Sequence, residues 1–122
     1  MTSFVSNVTF DCADPYALAQ FWSQVTGEPI LEECEAGDEE VEIQLPAGLC
    51  FEFIRVPEPK VVKNRLHVCL RPDESGREAE VERLLGLGAR LVGDLRNEDG
   101  TGWAVLADPE GNEFCVLRRL EA

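Results

Sequence analysis

One order of elements occurs twice in this chain, about sixty residues apart, and that repetition limits the available folds more than any single motif does. Residues 3–12 alternate as a strand, with Val8 and Phe10 on one face and Asn7, Thr9 and Asp11 on the other. Asp14 offers an N-cap and Pro15 a first helical position. Leu18, Phe21, Trp22 and Val25 then recur at i, i+3, i+4 and i+7, the spacing of a buried helical stripe, and Gly27 ends it. Three apolar runs follow at about 29–35, 40–45 and 49–56, broken by Gly37-Asp38 and Pro46-Ala47-Gly48.

Residues 57–62, stiffened by Pro57 and Pro59, form a linker, and the order begins again. The stretch Lys63–Leu70 predicts a strand with Leu66, Val68 and Leu70 toward a helix and Arg65, His67 and Cys69 on the opposite face. A helix of about 75–87 should bury Val81, Leu84 and Leu85 and end at Gly86 and Gly88. Strands are predicted over Ala89–Leu95, Gly102–Ala107 and Glu113–Arg118, joined by turns at Asn97–Gly100 and Asp108–Asn112. Asn7 thus corresponds to His67 and Gly27 to Gly88. The implied class is α+β: two βαβββ modules, about 1–56 and 63–122 within a single domain, each a curved mixed sheet with its helix outside. The uncovered sheet faces should meet or line a shared cavity.

Composition removes several functions. The chain has 122 residues and a net charge of −13, which repels nucleic acid and anionic membranes. Much of the excess acid lies in Glu32, Glu33, Glu35, Asp38, Glu39, Glu40 and Glu42, whose spacing follows no calcium-loop template and fits a solvated hairpin tip. No apolar run approaches the ~18 residues of a membrane span. The N-terminus lacks the regions of a signal peptide, so the expected location is cytoplasmic. Five cysteines without a paired spacing point to reduced thiols.

His67 is the only histidine, and on a rigid strand it is a natural centre for proton transfer or metal ligation; the plainer alternative is a half-exposed strand histidine without a role. Phe51 and Phe53 flank Glu52 and should be core, as should Trp22, whereas Trp103 can equally face a ligand. Arg55, Lys60, Lys63 and Arg65 form a basic island suited either to an anionic ligand or to a solvated linker. With one histidine and no serine on a nucleophile-type turn, a serine-triad hydrolase does not fit.

The duplication, the helix DPYALAQFWSQVTG, the segment VPEPKVVKNRLHVCL and the ending GWAVLADPEGNEFCVL together resemble the glyoxalase/bleomycin-resistance/dioxygenase (vicinal oxygen chelate) superfamily, in particular its small glyoxalase-like domains. The resemblance spans essentially the whole chain. It implies two modules forming a cup, a homodimer, and in the enzymes a divalent metal held by the first and last strands of each module. Carried over, those positions fall on Asn7, where His is usual, on Glu52, on His67, and on Cys115, where Glu is common. Two of the four donor types are therefore replaced. An amide and a thiol suit Mg, Mn, Fe(II) or Ni poorly, although Glu52, His67 and Cys115 could hold zinc.

Three functions follow as expectations. One is a metal-dependent lyase, isomerase or dioxygenase with Glu52 or Glu113 as base. Another is a protein that binds a small organic molecule in its cup, with His67 and Glu52 at the base and Asn7, Thr9, Cys69, Trp103, Glu113 and Cys115 around it. Its cofactor would be none, or a weakly bound divalent metal. The third is a dimeric domain whose contacts are its role. The replaced donors favour the second.

Overall fold

The structure, a computed structural model, describes residues 1–120. The chain forms two compact units, Met1–Lys60 and Val61–Ala122. Both are βαβββ-like and built on mixed sheets.

In the first unit, β1 (Asn7–Cys12), α1 (Pro15–Thr26), β2 (Glu40–Gln44) and β3 (Cys50–Arg55) follow in order. The sheet order is β1-β3-β2, with β1 parallel and β2 antiparallel to the central β3. Asp14 caps α1 by accepting from the Ala17 N–H at 3.2 Å, a contact worth ~1 kcal/mol. Leu18, Phe21 and Trp22 are buried on the sheet, where Trp22 packs edge-on against Phe51 at 5.8 Å and Phe10 stacks on Phe53 at 4.9 Å. The other face of this sheet carries Asn7, Thr9, Glu42 and Glu52.

Two boundaries differ from the sequence expectation, each for a traceable reason. The run 29–35 is no strand. Only Ile30 bridges to Ile43, with the Leu31 N–H on Glu42 O, because the following residues to Asp38 bond locally: Cys34 N–H on Leu31 O, Glu35 N–H on the Asp38 carboxylate, and Asp38 N–H on Glu35 O. The first strand starts at Asn7 rather than at residue 3, since its partner β3 begins at Cys50, directly opposite. Phe4 and Val5 consequently stand in solvent.

The second unit contains β4 (Val68–Leu70), α2 (Arg77–Leu87), β5 (Arg90–Asp94), β6 (Ala104–Ala107) and β7 (Glu113–Val116). Sheet order is β4-β7-β6-β5, with β4 parallel to β7 and the other pairs antiparallel. α2 packs on β7, burying Val81 and Leu84 with Phe114, Val116 and Leu106. Gly86 lies inside α2 instead of ending it. Gly88 alone closes the helix, left-handed at φ 117°, with its N–H returned to Leu84 and Leu85.

The His67 strand is shorter than its pattern suggests. Lys63–His67 lies outside the ladder and Leu66 is exposed, not packed on a helix. The bond that would extend the strand is taken: the Glu113 N–H donates to the Asn64 side-chain oxygen at 3.0 Å. The Asn64 amide in turn donates to Leu66 O at 3.3 Å, so one side chain both ends the ladder and holds the segment beside β7.

Two buried polar residues organise the loops. Asp108, 2% exposed, accepts from the backbone N–H groups of Glu110 and Asn112 at 2.9 and 3.0 Å and from the Asn112 amide. Those bonds shape the turn between β6 and β7 and hold their register. Arg77, 6% exposed, donates to the carbonyls of Asn97, Gly100, Thr101 and Gly102, tying down the loop that precedes Trp103. In that loop Gly102 is left-handed at φ 82°, and a Cβ there would lie 2.0 Å from Leu95 O. Among the described residues no helix is long and apolar enough to cross a membrane.

Gly102→Ala should force Leu95 and Trp103 apart and cost ~2 kcal/mol or more. Urea unfolding measures this, and an unchanged midpoint would contradict the close approach. Asp108→Ala strands two buried N–H donors and should cost ~3 kcal/mol, whereas Asp108→Asn retains part of that. A loss below ~1 kcal/mol in the same assay would show that the turn does not depend on the carboxylate.

Candidate functional site

The site in the second unit is built by strand register. Cys69 lies opposite Cys115 on the parallel pair β4–β7, and Cys115 lies opposite Val105 on the antiparallel pair β7–β6. Because side chains alternate, this row and its neighbours two residues away face away from α2. One neighbouring row holds His67 and Glu113, the other Leu117 and Trp103. Together with Lys63 these residues line a cavity of about 410 Å³. Its walls are apolar at Trp103, Val105 and Leu117, and polar at His67, Lys63 and Glu113. Trp103 is 42% exposed, so one of the chain's two tryptophans faces the cavity while Trp22, at 1%, belongs to the first unit's core.

Charge in the cavity is balanced locally. The Lys63 ammonium contacts the mostly buried Glu113 carboxylate, and both groups line the cavity. Cys115 is buried, and desolvation is the main cause that pushes its thiol above the usual range. The neighbouring Cys69 adds to that shift through charge and a hydrogen bond, while Lys63 opposes it. His67 and Cys69 are exposed. The ligand atoms of His67, Cys69 and Cys115 all lie within 4.8 Å of one another, the one such cluster among the described residues.

The first unit holds the remaining residues singled out in the sequence. Thr9, Glu52 and Glu42 form a registered row across its three strands. One Glu52 oxygen accepts from the Thr9 hydroxyl at 3.1 Å and from the Asn7 amide at 3.3 Å. Glu40 shares a hydrogen bond with Glu52, and this, followed by their mutual repulsion, raises the Glu40 carboxyl above its ordinary value. Within the first unit Asn7, Thr9 and Glu52 make one polar group, and within the second unit His67, Cys69, Trp103, Glu113 and Cys115 line the cavity.

Two lining residues, Val105 and Leu117, were not singled out from sequence, nor was Asn64, which anchors the segment beside β7. Val105 was accessible in principle, since it alternates with Trp103. Asn64 carried no local signal, because its role depends on the distant Glu113 N–H. The basic island separates as well: Lys63 meets Glu113 in the cavity, while Arg55 lies 3.8 Å from Glu39.

The metal that the resemblance implies can be tested against these donors. Mn(II), Mg(II) and Fe(II) require several oxygen or imidazole donors converging on one point. The convergent set here is one imidazole and two thiols, with the Asn7 amide committed as a donor to Glu52 and Thr9. Such a set does not fit a hard divalent ion.

The chain matches the glyoxalase-like domain family over residues 7–117. Solved structures share its fold. A glyoxalase/bleomycin resistance protein/dioxygenase family enzyme from Burkholderia phytofirmans is 21% identical at a TM-score of 0.69, covering 98% of this chain and 100% of the other. A possible glyoxalase from Bacillus cereus is 18% identical at 0.68, covering 95% and 99%. The fosfomycin resistance protein FosX from Listeria monocytogenes is 16% identical at 0.74, covering 98% and 93%. At these identities the likeness is one of fold. No curated protein matches the chain in sequence. With a family match over residues 7–117, nearly the whole chain, and solved structures that share its fold, this chain belongs to the glyoxalase-like domain family.

Proposed function

We propose that this chain binds a small organic molecule in the cavity of its second unit, without a hard divalent metal. The observation that carries this is the cavity itself: about 410 Å³, apolar on three residues and polar on a few convergent ones. That volume lies within the ~300–1,000 Å³ range of small-molecule sites, and the division of its lining is typical of them. An aromatic or aliphatic body would lie against Trp103, Val105 and Leu117, with a polar or anionic group toward His67 and Lys63. In the first unit, Glu52 with Asn7 and Thr9 supplies a polar face of its own sheet. FosX, described with Mn(II) and 1S,2S-dihydroxypropylphosphonic acid, lends support to a small ligand carrying an anionic group. The mismatch of donors argues against carrying over its metal and therefore against a lyase, isomerase or dioxygenase that depends on such an ion.

The homodimer belongs to the same proposal. Leu91, Val92 and Leu95 are exposed on and just after β5, an edge strand, and give a second copy an apolar surface to cover.

Anilinonaphthalene sulfonate, an aromatic anion, should bind saturably at one site per chain, unaffected by added Mn(II) or Mg(II). Trp103→Ala and His67→Ala should each weaken it about tenfold, equivalent to ~1.4 kcal/mol, while near-ultraviolet circular dichroism of the His67 variant stays unchanged. Equal affinity in both variants would reject the cavity as the site. Light scattering at micromolar concentration should give twice the chain mass, and a monomer mass would remove the dimer.

A further inference from the structure

We propose that His67, Cys69 and Cys115 form a binding site for zinc(II), a thiophilic ion, with an open coordination position facing the cavity. This goes beyond the ligand-binding reading and stands without it.

The first support is geometric. The three ligand atoms lie within 4.8 Å of one another. Tetrahedral zinc, with Zn–S near ~2.3 Å and Zn–N near ~2.0 Å, wants its donors roughly 3.4–3.8 Å apart. The remaining closure is about an ångström, which side-chain rotation of the exposed His67 and Cys69 can supply. The backbone needs no change, since Cys69 and Cys115 are already registered partners on adjacent strands.

Charge is the second support. Zinc replaces the two thiol protons, which leave to solvent, and two thiolates with one neutral imidazole give a centre of no net charge. Such a centre can sit beside Val105, Leu117 and Trp103 without burying an unpaired ion. Glu113, a potential competing donor, is in contact with Lys63.

The third is the choice of donors. Two thiolates and an imidazole select a soft or borderline ion over Mn(II) or Mg(II). Three protein ligands also leave zinc a fourth position for water or a ligand group from the cavity that all three line. Cys69 separates this site from the four positions that the resemblance implies, Asn7, Glu52, His67 and Cys115. It is not among them, whereas Asn7 and Glu52 have no part in the cluster.

The test uses the full chain without a histidine tag, kept reduced with a phosphine, loaded with zinc(II) or manganese(II), desalted and analysed for metal. One zinc and no manganese per chain is expected. In competition against a chromophoric chelator, Cys69→Ser and His67→Ala should each lower zinc affinity by more than the ~100-fold that loss of an outer-shell partner costs, and Glu52→Gln should leave it unchanged. Cobalt(II) should give a thiolate charge-transfer band that Cys69→Ser diminishes. Cys69 is exposed, so its variant decides the matter even if replacing the buried Cys115 harms folding. Failure to retain zinc, zinc affinity that survives Cys69→Ser, or preferential retention of manganese would each overturn the site.

Discussion

The register of β7 between β4 and β6 is the constraint on which the second unit depends. Side chains on a strand alternate, so a slip of one residue would bring Cys115 under α2 and turn Phe114 and Val116 into the cavity. Several independent contacts oppose such a slip. Phe114, Val116 and Leu106 are buried against α2. Asp108 shapes the turn leading into β7 through bonds to Glu110 and Asn112, and Asn64 takes the N–H of the strand's first residue. Hydrophobic packing thus chooses the face, and two side-chain hydrogen-bonding groups choose the offset. The row Cys69–Cys115–Val105 follows from both.

Electrostatics divides the two units in a way that net charge alone does not suggest. In the first unit, Glu40, Glu42 and Glu52 share one sheet face, and their proximity raises the Glu40 carboxyl. A raised carboxyl binds its proton in the folded chain at a pH where the unfolded chain has lost it. That contribution to stability is present at low pH and fades as pH rises through the raised value. The aromatic face beneath, Phe10, Trp22, Phe51 and Phe53, tolerates the residual repulsion because burial of rings does not depend on pH. In the second unit several acids are each beside one cation: Arg96 beside Asp94 holds that carboxyl down to about 2, and Lys63 contacts Glu113.

How legible this was depends on how local each signal is. The Asp14-Pro15 start, the Leu18/Phe21/Trp22 stripe, the Gly27 and Gly88 endings and the Asp108–Asn112 turn are set within a few residues, and the pattern showed them. The duplication and the superfamily were legible for the same reason, several local motifs in one order. What escaped were competitions across distance. The run 29–35 has strand-like composition, yet Asp38 captures the Glu35 N–H that a ladder would need. Lys63–Leu70 alternates well, yet Asn64 ends its pairing from within. Arg77 has no local signal for burial, because only the folded loop 97–102 supplies the carbonyls that bury it. The faces of His67, Cys69, Glu113 and Cys115 could be read from alternation. That Cys69 stands directly opposite Cys115 could not, because parallel register is set by partners far apart in the chain.

That register has a chemical consequence. A fold of this kind supports different chemistries because its strands hold rows of side chains in place while the residue types in those rows change. Here β4 and β7 present a thiol each at matched positions, with an imidazole one row away, on a sheet whose other face is committed to core. Neither thiol alone alters the character of the cavity: a buried Cys115 is a small apolar residue, and an exposed Cys69 a weak polar one. Set opposite each other, they form a soft donor pair. The shared fold can therefore persist while the donor types it presents change with the residues in one registered row of a strand pair.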